Sequence, residues 1–159
     1  MTDEEAQFVA SHASFICLEK GHASEQFRYT EEGIEREAQQ LKKYNPNLKV
    51  IFYWNTFLDY PMYQAHEEYQ KHPEWWLRKL DGTMDKKKGR IKRYDLSNPE
   101  VRDWWTDVAK KAVIEGSCDG VFVDAFPQIS APGNKVLWGI EKYNAIQEGL
   151  LAILKETRL

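Results

Sequence analysis

The chain has 159 residues, 42% hydrophobic and 30% charged, with a formal net charge of -3 and a pI near 5.8. This is enough for a single domain over residues 1–159 with its own core, and it excludes disorder throughout. A mildly acidic chain gives no electrostatic ground for a nucleic-acid partner, and no apolar run reaches the 18 residues of a membrane span, so neither nucleic acid nor membrane is expected as a partner.

Thr2 to about Ala13 reads as a helix, capped by Thr2, with Asp3, Glu4 and Glu5 at its positive end and Phe8 and Val9 as its apolar contribution. The acidic start, MTDEEAQF, is not the basic n-region of an export signal. SFICLEK, 14–20, is an apolar run turning charged at Glu19 and Lys20, and Gly21 marks a turn. A second helix has Thr30 as N-cap and Ile34, Ala38 and Leu41 on one face, and NPN at 45–47 ends it. KVIFYWN, 49–55, is the next strand, finishing on Trp54 and Asn55.

The long stretch from Thr56 to Gly89 carries a short helix over about 63–71 and an aromatic, irregular HPEWWLRKLDGT. The basic run KKKGRIKR, 86–93, reads as a solvated loop flanking a strand, with an anionic ligand such as an acidic polysaccharide as the alternative. RIKRYDL, 90–96, is read as a further strand. Asn98 and Pro99 then open a helix whose Val101, Trp104, Trp105, Val108 and Ala112 share a broad face, closed by Gly116. GVFVD, 120–124, is a strand expected to be buried on both faces, and a last helix runs from about Val136 to Glu156. Cys17 and Cys118 both fall in or just before apolar runs, as core thiols do.

Helix and strand alternate throughout, the pattern of an α/β protein with parallel strands and helical crossovers. In such folds ligand sites form at the C-terminal ends of the strands. Polar residues collect there: Glu19 and Lys20, Trp54 and Asn55, Tyr94 and Asp95, and Asp124. Of these, Glu19, Lys20, Trp54, Asn55 and Asp95 are expected to line a substrate site. Phe57, Tyr60, Tyr63, Trp75 and Trp76 follow the second strand, and flat rings beside carboxylates suit sugar rings. The four histidines show no metal-ligand spacing, and no phosphate-binding glycine loop, nucleophile elbow or CxxC is present, so neither metal nor cofactor is expected.

The stretch YDLSNPEVRDWWTDVAKKAVIEGSCDGVFVDAF resembles (β/α)8 glycoside hydrolases, namely the hypothetical glycosyl-hydrolase-like families and their α-amylase- and α-galactosidase-like relatives. FICLEKG and VIFYWN look like the preceding strands, so the resemblance runs from about residue 14 to 127. It implies a TIM-type barrel, here a partial one of about four β/α units, because a whole barrel takes roughly 250 residues. It also implies an oligosaccharide or polysaccharide substrate. By this match Asp124 is the nucleophile that attacks the anomeric carbon, with Asp119 structural at the opposite end of its strand.

Retaining hydrolysis further needs a carboxylic acid, which such relatives carry on a later strand. Glu19 and Asp95 are the strand-end carboxylates available here. The alternatives are a carbohydrate-binding protein without hydrolysis, and an incomplete barrel that self-associates through its open edge. Relatives acting on polysaccharides are often exported, and this chain fixes no compartment.

Overall fold

In the computed structural model, which describes residues 1–158, Thr2 caps α1 (Asp3–His12) through a reciprocal pair of bonds. Glu5 N donates to Thr2 Oγ1 at 3.2 Å, and Thr2 N donates to Glu5 Oε2 at 2.7 Å. The helix buries Ala6 and Ala10, four residues apart, while Phe8 stays 63% exposed. The expected apolar face is thus displaced. α1 lies against its neighbour through methyl groups, and Asn45 Nδ2 reaches across to the Ala10 carbonyl at 2.9 Å.

That neighbour, α2 (Thr30–Tyr44), buries Ile34, Ala38 and Leu41 as their spacing predicts. Its N-cap is Tyr29, one residue earlier than expected, because the Thr30 hydroxyl is engaged elsewhere and accepts the Gly21 N–H at 3.1 Å. Gly33 is required where it stands, since a Cβ there would lie 2.5 Å from the His22 carbonyl oxygen.

Between these helices lies β1 (Phe15–Leu18), which pairs in parallel with β2 (Lys49–Asn55), Phe15 opposite Lys49 and Leu18 opposite Phe52. β5 (Gly120–Asp124) completes a three-stranded sheet of order β1-β2-β5. It runs parallel to β2, as the bonds from Asp119 N to the Val50 carbonyl (2.7 Å) and from Thr56 N to the Asp124 carbonyl (3.1 Å) require. β5 is an outer strand, and Phe122, stacked on Tyr53 at 6.0 Å, keeps half its surface exposed rather than being buried on both faces.

The residues fold as two compact units. One holds Met1–Trp54, Pro61–Gln64 and Ala109–Phe122; the other holds Asn55–Tyr60, Ala65–Val108 and the described residues from Val123 onward. In the first, Asp119 ties strand starts to a helix end: it bonds Lys42 at 2.7 Å, Lys49 at 3.1 Å and the Val50 N–H at 3.0 Å. This is the structural part the sequence suggested.

The second unit is built around aromatic side chains. α3 (Ala65–Lys71) and a 3₁₀ turn, Pro73–Trp75, place Tyr69 against Tyr94 (5.0 Å) and Trp104 (5.4 Å). The expected strand at 90–96 is instead half of an antiparallel hairpin, β3 (Lys86–Lys87) and β4 (Ile91–Lys92). Lys88 and Gly89 at its tip both have positive φ, 51° and 69°, as in a type I′ turn, and this reverses the chain. The parallel strands among the described residues therefore number three, not four.

α4 (Pro99–Ile114) starts as predicted, with Asn98 Oδ1 accepting the Glu100 N–H at 2.9 Å. After a short α5 (Phe126–Ile129), the single closing helix expected from the sequence is two, α6 (Asn134–Trp138) and α7 (Ile140–Glu156). The break is Gly139, at φ 79° and ψ 155°, a conformation that glycine alone adopts readily.

Candidate active site

β5 ends at Asp124, and the chain turns at once. Ala125, 2% exposed, sits in the left-handed region at φ 79° and ψ 11°, and α5 starts after it. A side chain at positive φ is uncommon, and such strain persists only where neighbouring structure imposes it. Here Thr56 supplies that structure, its N–H and its hydroxyl (2.6 Å) both donating to the Asp124 carbonyl.

Asn55 stands beside this turn at the end of β2, 1% exposed. Its amide oxygen accepts the N–H groups of Phe57 (2.9 Å) and Leu58 (2.8 Å), and its carbonyl accepts Trp105 Nε1 (2.9 Å). Two backbone donors on the oxygen leave the amide nitrogen pointing the other way, and it donates to Asp124 Oδ2 at 3.4 Å. The carboxylate is thereby aimed by a side chain that is itself fixed.

The structure brings together Asn55 and Asp124 from the residues selected by sequence. Asp95 is held by Lys142 (2.7 Å) and by the Ser97 hydroxyl (2.5 Å) and N–H (3.1 Å), and Lys142 also donates to the Ser97 hydroxyl. It follows a hairpin strand rather than a parallel one, so the strand-end premise that selected it does not hold. Glu19 and Lys20, in the first unit, pair with each other at 2.6 Å, and Lys20 lies over the Tyr53 ring at 4.7 Å. Trp54 is 1% exposed, packed on Tyr63 (5.0 Å) and Phe52 (6.2 Å).

Three participants have no sequence signal of their own. Thr56 reads as an ordinary loop threonine, Ala125 as an ordinary alanine, and Lys142 as the polar face of a helix. A further polar group in the second unit centres on Asp59, 3% exposed, which accepts from His66 Nδ1 and Gln70 Nε2, both at 2.8 Å. Burial raises its carboxyl above the usual range despite those bonds and the nearby Lys92. Lys92 donates to Gln70 Oε1 and lies 3.4 Å from the centre of the Trp76 ring. Among the described residues there is no group of three or more His, Cys, Asp or Glu side chains able to hold a metal, and no helix long and apolar enough to cross a membrane.

Residues 42–159, about three-quarters of the sequence, match the family model described as hypothetical glycosyl hydrolase family 15. The chain belongs to this family. No curated protein matches it. Among solved structures it is similar to a hypothetical protein from Ruminiclostridium thermocellum ATCC 27405, at 18% identity and TM-score 0.62, covering 98% of this chain and 87% of that one. It is also similar to the α-galactosidase of Thermus thermophilus in complex with p-nitrophenyl α-D-galactopyranoside: 20% identity, TM-score 0.60, 99% of this chain and 34% of that one. A noncanonic maltogenic α-amylase from Thermotoga neapolitana gives 16% identity and TM-score 0.52 over 78% of this chain and 34% of that one.

At these identities the likeness is one of fold. The family 15 chain is a mixed α/β protein with a small parallel sheet, similar to TIM-barrel glycosidases, and it spans about a third of the length of the two glycosidases.

Proposed function

We propose that this family 15 chain carries the nucleophile-bearing part of a glycoside hydrolase, with Asp124 as the nucleophile. The observation that carries this is the Asn55–Asp124 pair: a carboxylate at the C-terminal end of a parallel strand, fixed by a buried amide and followed by a strained left-handed turn. The strand order supports a barrel origin for the sheet. It advances β1-β2-β5 without reversing, as in a singly wound (β/α) barrel, whereas a doubly wound sheet reverses at its switch point.

In this reading an Asp124 oxygen attacks the anomeric carbon, the glycosidic C–O bond breaks, and the sugar is held as an ester of Asp124. A second carboxylic acid gives its proton to the leaving oxygen, then as carboxylate takes a proton from the water that cleaves the ester. The Asn55 amide keeps the Asp124 carboxylate from rotating away between these steps.

The test uses p-nitrophenyl glycosides, whose leaving group needs little acid assistance. Asp124→Asn keeps the thermal midpoint close to wild type and lowers turnover by several orders of magnitude. Asp124→Gly, with azide added, forms a glycosyl azide, since azide enters where the carboxylate was. Wild-type turnover in purified Asp124→Asn removes Asp124 from the mechanism, and sugar binding without turnover in the wild type identifies a binding protein instead.

A further inference from the structure

The hairpin formed by β3 and β4 concentrates charge in a way the rest of the chain does not. Six of its eight residues, 86–93, are lysine or arginine, out of 22 in the whole sequence, while the chain as a whole is acidic. Two of the six are tied in place: Arg93 to Asp85 at 2.8 Å, and Lys92 to Gln70 over the Trp76 ring. The other four, Lys86, Lys87, Lys88 and Arg90, have no carboxylate within ion-pairing distance among the described residues, and Lys88 and Arg90 are exposed at the turn.

The ladder register sharpens this. Lys86 stands directly opposite Lys92, so two ammonium groups share one face of a hairpin, an arrangement that costs stability when like charges meet. The tight turn, with Arg90 N donating to the Lys87 carbonyl at 3.1 Å, holds the remaining cations at the tip. A fold that sets cations together on rigid backbone and leaves them without internal counter-charge is complementary to an external polyanion.

We propose that the 86–93 hairpin binds an acidic polysaccharide, its carboxylate-bearing sugar units pairing with Lys86, Lys87, Lys88 and Arg90. This rests on the reading of the chain as a carbohydrate-active protein and names the substrate class as anionic. A polysaccharide is favoured over nucleic acid because the basic surface is one short hairpin on an otherwise acidic chain, while nucleic acids are held by extended basic faces.

Titration calorimetry of the full chain with sodium polygalacturonate, dextran and an oligothymidylate tests this. At about 20 mM salt polygalacturonate binds and dextran does not, and binding is lost by about 500 mM salt because the contacts are screened. K86Q/K87Q/K88Q/R90Q lowers the affinity at least tenfold, and the corresponding all-arginine or all-lysine tip restores it. Should the fourfold variant not fold, K88Q/R90Q at the exposed turn carries the same comparison.

Wild-type affinity in the glutamine variants, no binding of polygalacturonate, or equal binding of dextran overturns the proposal. Tighter binding of oligothymidylate overturns its commitment to a polysaccharide. The hydrolase reading fails separately: Asp124→Asn that binds polygalacturonate normally and still turns over aryl glycosides leaves the hairpin assignment standing and removes the nucleophile.

Discussion

Asn55 serves the fold with one atom and the proposed site with another. Its amide oxygen closes the turn after β2 by accepting two N–H groups, and its amide nitrogen aims Asp124. Asn55→Ala leaves those two buried donors without an acceptor, a loss of about 1–3 kcal/mol in denaturant melts. Asn55→Asp keeps an oxygen for the donors but sets a second carboxylate against Asp124, so under the proposed function aryl-glycoside turnover falls more than stability does. Asparagine at the end of an apolar strand was legible in the sequence, and so was Asp124. What was not legible was the division of labour between their atoms, because it depends on Thr56, whose sequence context marks nothing, and on Trp105, whose place on an apolar helix face says nothing of its bond to the Asn55 carbonyl. Before Asp95 the reverse holds: the strand expected over 90–96 is a hairpin, and the bond of Asp95 to Lys142, forty-seven positions on, has no local signal.

Elements were legible where local rules act alone. The capping box of α1, the buried stripe of α2 and the Asn98 start of α4 all follow from spacing and caps. They failed where a residue in a special backbone conformation decides. Lys88 at positive φ turns a presumed strand into a hairpin, and Gly139 divides the last helix. The position of α7 is set by another glycine: a Cβ on Gly149 would lie 1.9 Å from the Leu96 carbonyl oxygen, backbone that has no side chain to move aside. Gly149→Ala therefore forces α7 away from that segment. The expected cost is about 1–3 kcal/mol, read as a lower thermal midpoint, despite alanine's better helix propensity.

At the scale of the whole molecule, the response to acid is a balance between carboxylates shifted in opposite directions. For Asp119 burial acts upward, but the bonds from Lys42, the Val50 N–H and Lys49 outweigh it and hold the carboxyl at about 2. A lowered carboxylate contributes stability that is complete above its unfolded value of about 3.9 and is lost as pH falls toward the folded value. Asp59, raised by burial, has the other sign: its contribution is present at low pH and lost as pH rises through its folded value. Thermal midpoints measured from pH 5 to 2 thus fall most steeply between about 4 and 2. Asp119→Asn lowers the midpoint at neutral pH and flattens that fall; an acid limb unchanged in the variant would remove Asp119 as its source. Little of this was legible beforehand, since a net charge of -3 says nothing of which carboxylates are tied and which are buried.

The alanine after Asp124 offers a way to sort homologous sequences without assaying any of them. A left-handed φ of 79° is open to glycine, tolerable for asparagine or alanine, and sterically closed to valine or isoleucine. A homologue with a β-branched residue at the position of Ala125 has a backbone that leaves the strand along another course, and its aspartate no longer presents the same way even when that aspartate is retained. Position 125 thus separates sequences that keep only the acidic letter from those that keep the turn that aims it.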